Sequence, residues 1–286
     1  MNSDWQNPIL KKSDELFSGK TSLCERLDLA DCMKLAILAD PITKEPLTLV
    51  DHENEQKLIS KDGEYAFSGI SPILYPDSIQ KIKKNGRLPL TDDYNGFVQY
   101  ALLSELKNAA GIETNAPIES EPVLKHLYRL SNFIRTLSGV VLDIGSDQPS
   151  HSSKIFPKNC RYLGLDPYAG EGEFRVIGMG EILPICNESV DVVMFNTSMD
   201  HILDHHTAIE EAHRVLKPGG SIIITGYAWL FRGSLLNDSQ HFHHFREYEY
   251  SGALQPFFDI VDIERYEDVK KSDHRFNIYI AAQKNF

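Results

Sequence analysis

The sequence predicts an α/β fold: a doubly wound, mostly parallel seven-stranded Rossmann-like sheet with a terminal antiparallel hairpin, preceded by a small β-rich module. Three observations predict it. Val140-Val-Leu-Asp-Ile-Gly145 reads as a buried strand running into a glycine turn, with an acidic residue near its end. Further on, Glu211-Ala-His-Arg-Val-Leu-Lys-Pro-Gly-Gly220 reads as a helix that ends on Lys217 and turns through Pro218, Gly219 and Gly220 into the apolar strand 221–225. Last, segments 257–266 and 275–283 read as strands whose charged linker leaves no room for a crossover helix, so they pair antiparallel.

The elements follow in order. Residues 1–37 form a polar N-terminal extension with a helix predicted over 24–38, on which Leu27, Ala30, Leu35 and Leu38 fall three to five apart. Over 38–76 the text changes to short strands and turns, and the Asp62-Gly63 step between alternating runs is a hairpin signal. Residues 77–120 read as a helical connector, with a helix over 94–110. In the next helix, 121–137, Val123, Leu127, Leu130, Ile134 and Leu137 make one apolar stripe, suited to covering a sheet. From Val140 strands alternate with helices: 140–144, 162–165, 175–177, 190–195 and 221–225 are the predicted strands.

Composition narrows the function classes. The chain has 286 residues, 42% of them hydrophobic and 24% charged, as in ordinary globular proteins. A net charge of -12 disfavours phosphate-backbone binding, so nucleic acid is not an expected partner, although Lys81, Lys83, Lys84 and Arg87 make a local basic patch. Cys24, Cys32, Cys160 and Cys186 show no CxxC spacing, which suggests reduced thiols in a cytoplasmic protein. The first residues lack the blocks of a signal peptide, and no apolar run approaches the ~20 residues of a membrane span. A homodimer is left open.

The Val140–Gly145 and Glu211–Gly220 phrases together resemble the class I S-adenosylmethionine (SAM)-dependent methyltransferases, in particular the large family with LDxGxGxG and RVLKPGG turns. That resemblance implies S-adenosyl-L-methionine as cofactor and a set of roles. Asp143 would organise the first loop and contact the methionine end, and Gly145 would let backbone approach the ligand. The loop then departs from the family: in Gly145-Ser146-Asp147-Gln148-Pro149, Asp147 and Pro149 replace glycines. Asp147 would either pair with the SAM ammonium or repel its carboxylate. Asp166, followed by Pro167, stands about 20 residues past the first turn, where an acidic residue accepts from ribose hydroxyls. Met179 would wall the adenine, with backbone of Gly180 and Glu181 reading the ring. Asn196 and Thr197 would lie at the mouth of the fourth strand facing the transferred methyl, and Asp200 and His201 would start the next helix, Asp200 as a cap or on the substrate side.

Residues 227–250 read as a lid insertion, making 121–286 the methyltransferase domain. The histidines His241, His243 and His244 raise a metal hypothesis, but alternation would put His243 and His244 on opposite faces, and no metal is expected. His201 and His243 are candidate bases and Tyr227 a positioning residue. The 38–76 module resembles small zinc-ribbon-like proteins that accompany methyltransferases, with Asp40 and Thr43 where metal cysteines would stand. The fold is expected to be kept and the metal lost. Two other readings are a catalytically silent protein that kept the fold, and an RNA methyltransferase.

Overall fold

The computed structural model describes residues 24–52, 55–74, 121–146, 152–167, 173–202, 204–230, 243–267 and 274–285. An N-terminal group comprises strand β1 (Glu25–Arg26), helix α1 (Leu29–Lys34) and strands β2 (Thr48–His52), β3 (Glu55–Ile59), β4 (Glu64–Tyr65), β5 (Phe67–Ser68) and β6 (Ser71–Pro72). The larger part holds helix α2 (Glu121–Phe133), strands β7 (Gly139–Ile144), β8 (Cys160–Asp166), β9 (Val176–Ile177) and β10 (Val190–Asn196), then helix α3 (His205–Val215). Strand β11 (Leu216–Trp229), helix α4 (Glu247–Leu254) and strands β12 (Phe258–Tyr266) and β13 (Arg275–Lys284) complete it.

The main sheet has 8 strands in the order β1-β8-β7-β10-β11-β13-β12, with β9 on β8. β7, β8 and β10 pair parallel, whereas β13 runs antiparallel to β11 and β12, which is the predicted closing hairpin. The central strands are apolar on both faces because both are covered. Leu142, Ile144, Val193 and Phe195 face one layer, while Val141, Val192 and Met194 meet Leu127 and Leu130 of α2, and Ile134 just after it, on the other. Period two along the strands and the stripe on α2 thus describe the same packing.

Two expectations are corrected. The segment 24–38 is not one helix: Glu25 and Arg26 pair parallel with Arg161 and Tyr162 as an eighth strand, and only Leu29–Lys34 is helical. Asp28 starts that helix with a capping box, its side chain accepting from the Asp31 N–H at 2.8 Å while Asp31 reaches back. Pairing at a sheet edge has overridden local helix spacing. The helix before the Pro-Gly-Gly turn ends at Val215, not Lys217, because Leu216 already pairs with Val190. Lys217 to Gly220 then bulge out, and pairing resumes at Ser221 opposite Val192. The expected helix over 94–110 and the 77–120 connector lie outside the described residues.

The β-rich module is joined to the main sheet by backbone hydrogen bonds. The Leu74 N–H donates to the Ile177 carbonyl (2.8 Å), the Ala39 N–H to Pro184 (3.0 Å), and the Cys186 N–H back to Ile37 (2.7 Å). Leu38, Leu47, Leu58 and Leu74 are buried in one cluster with Leu142 and Leu165. Inside the module, Asp40 is 2% exposed and gathers four donors. Its Oδ1 accepts from the N–H groups of Ile42 (2.8 Å) and Thr43 (2.9 Å), and its Oδ2 from the hydroxyls of Ser60 (2.6 Å) and Tyr65 (2.8 Å). One carboxylate therefore ties together the two turns of the module. No helix among the described residues is long and apolar enough to cross a membrane.

Candidate cofactor site and active site

The chain passes from β7 to β8 on one side and returns to β10 on the other, so the strand order reverses between β7 and β10. Ligands of open α/β sheets bind at that point, beyond the carboxyl ends of the strands. Both strands end there in left-handed backbone, at Gly145 (φ 76°) and Thr197 (φ 55°). A Cβ on Gly145 would stand 2.5 Å from Ser198 Cβ, so only glycine fits. The Ser198 hydroxyl donates to the Ile144 carbonyl at 2.5 Å and ties the two strand ends together. Thr197 is β-branched, and positive φ is a strained state for such a residue. Its N–H donates to the Thr225 carbonyl (3.1 Å) and its hydroxyl to the Asn196 carbonyl (2.7 Å), which hold it there while its side chain stays exposed.

Asp143 is fully buried, and the Tyr162 hydroxyl donates to its Oδ2 at 2.6 Å. The N–H groups of Gly145 and Ser146 both donate to the Leu165 carbonyl, at 2.8 and 3.1 Å. The Ser146 hydroxyl lies over Gly164, where a Cβ would come within 2.6 Å of it, and it is buried with no hydrogen-bond partner. Asp147 lies outside the described residues. Arg175, 1% exposed, sends Nη1 to the Ser146 carbonyl at 2.9 Å, while its N–H donates to the Ser71 hydroxyl at 3.3 Å. Asp166 and Pro167 close β8, with Gly178 N–H on the Asp166 carbonyl at 3.0 Å.

Met179, Gly180 and Glu181 form a tight turn in which Met179 bridges Ile182. Met179 is buried, and Gly180 packs against Ile144 and Ile202. The buried Glu181 accepts from the Asp204 N–H at 3.5 Å, just ahead of α3, where a helix N-terminus favours negative charge. Asp204 caps α3 through the Thr207 N–H (3.1 Å), so the expectation that the helix starts at Asp200 is corrected. Asp200 and His201 instead form a single 3-10 turn.

Asn196 is fixed by a network that joins five elements. Its Nδ2 donates to the Ser152 hydroxyl (2.9 Å), and its Oδ1 accepts from the Thr225 hydroxyl (2.7 Å) and His126 Nε2 (2.7 Å). With the proton on Nε2, His126 Nδ1 accepts from the Tyr279 hydroxyl at 2.8 Å. Burial pushes the His126 pKa down, which keeps the ring neutral. The Asn196 side chain is thereby spent on holding the strand end, and Thr197 is the exposed group beside it.

The proposed bases come together around Asp200. His201 Nε2 is 3.9 Å from Asp200 Oδ1, and the His243 N–H donates to the Asp200 carbonyl at 3.2 Å. Tyr227 is one strand away: its carbonyl accepts from the Tyr250 hydroxyl (3.2 Å), and the Arg275 guanidinium lies 3.9 Å over its ring. His244 stacks on Trp229 with centroids 4.2 Å apart, and the His243 ring packs on His205 at 4.7 Å. His205 is a central residue that the sequence reading passed over, lying also 4.2 Å from His206 and 4.8 Å from Phe245. Burial first, then the neighbouring His243 and His206, bring its pKa down to about 4. No group of three metal-ligating side chains converges among the described residues.

The strand order defines an α/β domain of the doubly wound type. A family described as a methyltransferase domain matches residues 142–224. An uncharacterized methyltransferase of Mycolicibacterium gilvum is 28% identical over 116 residues, 36% of this chain and 45% of that protein. A malonyl-[acyl-carrier protein] O-methyltransferase of Coxiella burnetii is 25% identical over 176 residues, 58% of each chain. The chain therefore spans about half the length of these curated relatives. A Burkholderia thailandensis 1,6-didemethyltoxoflavin N1-methyltransferase, solved with S-adenosylhomocysteine (SAH) bound, shares the fold with a TM-score of 0.53 and 16% identity, over 80% of this chain and 98% of that one. Residues 142–224 are thus similar to a methyltransferase domain, a class whose methyl donor is S-adenosylmethionine. The residues of this chain fit that ligand: glycine backbone at the switch point, a buried unpaired Ser146 hydroxyl and an acidic end to β8.

Proposed function

We propose that the protein transfers the methyl group of SAM to an oxygen or nitrogen of a small-molecule or glycan-type acceptor. The observation that carries this reading is the pair of left-handed strand ends, Gly145 and Thr197, side by side at the β7/β10 switch point. Bound there, SAM supplies an electrophilic methyl on a sulfonium. In this reading Asp166 holds the ribose, Met179, Gly180 and Glu181 line the adenine, and Asp143, Ser146 and Asp147 shape the methionine end. The protein's remaining tasks are to hold the acceptor in line and to take its proton. His201 and His243, half-buried beside Asp200, are the bases, and Tyr227 orients the acceptor. The named activities of the relatives, O-methylation in one and N-methylation in the other, are both within reach of an imidazole base.

The first test is calorimetric titration with SAM and SAH, followed by a screen of hydroxyl and amine metabolites with SAH formation as the signal. Saturable binding and turnover that falls about 100-fold or more in His243→Ala or His201→Ala support the reading. Absence of binding by either ligand overturns it.

A further inference from the structure

We infer that Cys24 and Cys160 are an oxidisable dithiol, a clasp that as a disulfide ties the edge strand β1 to β8. The register carries this reading. β1 runs parallel to β8 with Glu25 opposite Arg161 and Arg26 opposite Tyr162, so the next rung back sets Cys24 beside Cys160. Both later rungs close through their side chains: Arg161 Nε lies 3.1 Å from Glu25 Oε2 on one face, and the Arg26 guanidinium sits 5.1 Å from the centre of the Tyr162 ring on the other. Side chains alternate along a strand, so Cys24 and Cys160 share the face of Arg26 and Tyr162. They are buried there in one apolar cluster with Tyr162, Ile155 and Phe156, a cluster that holds neither Cys32 nor Cys186.

Neighbouring strands lie about 4.8 Å apart, inside the span of roughly 4.4–6.8 Å that disulfides bridge between Cα atoms. At rest the pair is reduced and protected. The Cys24 thiol donates to the Ser153 carbonyl (2.9 Å) and the Cys160 thiol to the Leu137 carbonyl (3.4 Å). Burial, then the neighbouring Cys160, pushes the Cys24 thiol up to about 12, and burial, then Asp191, pushes the Cys160 thiol up to about 11. Few thiolates therefore form until β1 lifts from the sheet, which a strand of two residues at an edge does readily. The oxidant this suits is a small disulfide. The Cys24 thiolate attacks one of its sulfurs and expels a thiolate, and the Cys160 thiolate then attacks the Cys24 sulfur and expels the second. The pair loses two electrons, one small disulfide becomes two thiols, and the two protons of the pair end on them. The closed clasp restrains the unfolded chain between residues 24 and 160 and fixes the N-terminal group to the strand that ends at Asp166.

The test treats the full-length wild type, Cys24→Ser, Cys160→Ser and the double variant Cys32→Ser/Cys186→Ser with oxidised glutathione, a few degrees below each melting temperature so that the edge frays. Free thiols are then alkylated in denaturant, and the peptides are mapped by mass spectrometry without reduction. In the wild type and the double variant the peptides carrying Cys24 and Cys160 should come out linked to each other. The melting temperature of both should rise by about 5 °C or more, and dithiothreitol should reverse the rise. Neither single variant should gain stability on oxidation. If Cys160→Ser does not fold, Cys24→Ser and the wild-type peptide map decide. Four alkylated cysteines in the oxidised wild type, glutathione left on Cys24 without a link, a link through Cys32 or Cys186, or a link that leaves the melting temperature unchanged or lower overturns the inference.

Discussion

Replacing Asp40 by alanine tests whether one carboxylate holds the β-rich module together. The structure sets the magnitude. Four donors converge on Asp40, and Tyr65, only 4% exposed, brings a hydroxyl that water reaches poorly. A hydrogen bond to a charged group is worth about 1.5–3 kcal/mol net, and a buried donor left unmade costs about 1–3 kcal/mol. The Ile42 and Thr43 N–H groups lie in an exposed turn, so water can replace part of what they lose. The sum for Asp40→Ala is therefore about 3–5 kcal/mol. Asp40→Asn keeps an acceptor for the backbone pair but turns an NH2 toward two hydroxyls, which have to reverse, for about 1–2 kcal/mol.

The assay is urea denaturation followed by far-UV circular dichroism, with and without a chelator. Burial alone would raise the Asp40 pKa, but the hydrogen bonds from Ser60, Thr43, Tyr65 and Ile42 outweigh it and hold the pKa below the ordinary carboxylate value. A carboxylate lowered in this way contributes stability above its unfolded pKa of about 3.9, and loses it as pH falls through the folded value. The gap between wild type and Asp40→Asn is thus full at pH 7 and shrinks below about pH 4. A cost for Asp40→Ala under about 1 kcal/mol, or a urea midpoint lowered by the chelator, refutes the reasoning.

Further outcomes follow from the same geometry. Gly145→Ala places a methyl 2.5 Å from Ser198 Cβ in left-handed backbone; SAH binding by calorimetry should be lost, and retained affinity would refute the close fit. His205, with a pKa lowered to about 4, contributes stability that is complete above its unfolded value of about 6.5 and is lost as pH falls toward 4; His205→Phe should flatten that acid limb in pH-dependent melts. Lys44→Met removes the Nζ contacts to Glu211 (2.7 Å) and the Leu183 carbonyl (3.2 Å). Because Glu211 keeps Arg214 and the Leu183 N–H, the cost in urea denaturation should be only about 1–2 kcal/mol.

What the sequence made legible was what depends on neighbours in the chain. β7, β8 and β10 were readable because strands covered on both faces are continuously apolar, and Asp143, Gly145 and Asp166 because a strand end is a local event. The short pairing of Glu25 and Arg26 was not, since two residues at a sheet edge leave no periodicity. The Asn196 network was hidden for a different reason: His126, Ser152, Thr225 and Tyr279 come from four separate elements, and each alone is an ordinary polar residue. His126 did leave one trace, a histidine flanking the apolar stripe of α2. The cap that forms is Asp204, bonded to Thr207 three residues on, whereas the sequence reading took Asp200, four residues earlier, as the candidate.

The stretch from Ile177 to Cys186 shows why the module and the sheet must be treated as one structure. Residues 73 and 74 pair with Ile177 at one end of it, and residues 37 to 39 pair with Pro184, Ile185 and Cys186 at the other. Lys44 meets it in the middle at the Leu183 carbonyl. The turn proposed to face adenine is thus suspended between two pieces of the N-terminal module, and the buried Leu38 and Leu74 complete the core beneath it. A chain cut to residues 121–286 would leave β8 and β9 without Glu25, Arg26 and Ile73 and would expose an unpaired, apolar sheet edge. Such a fragment should aggregate more readily than the full chain; a monodisperse fragment that binds SAH with full affinity in calorimetry would show that the module contributes nothing to the site.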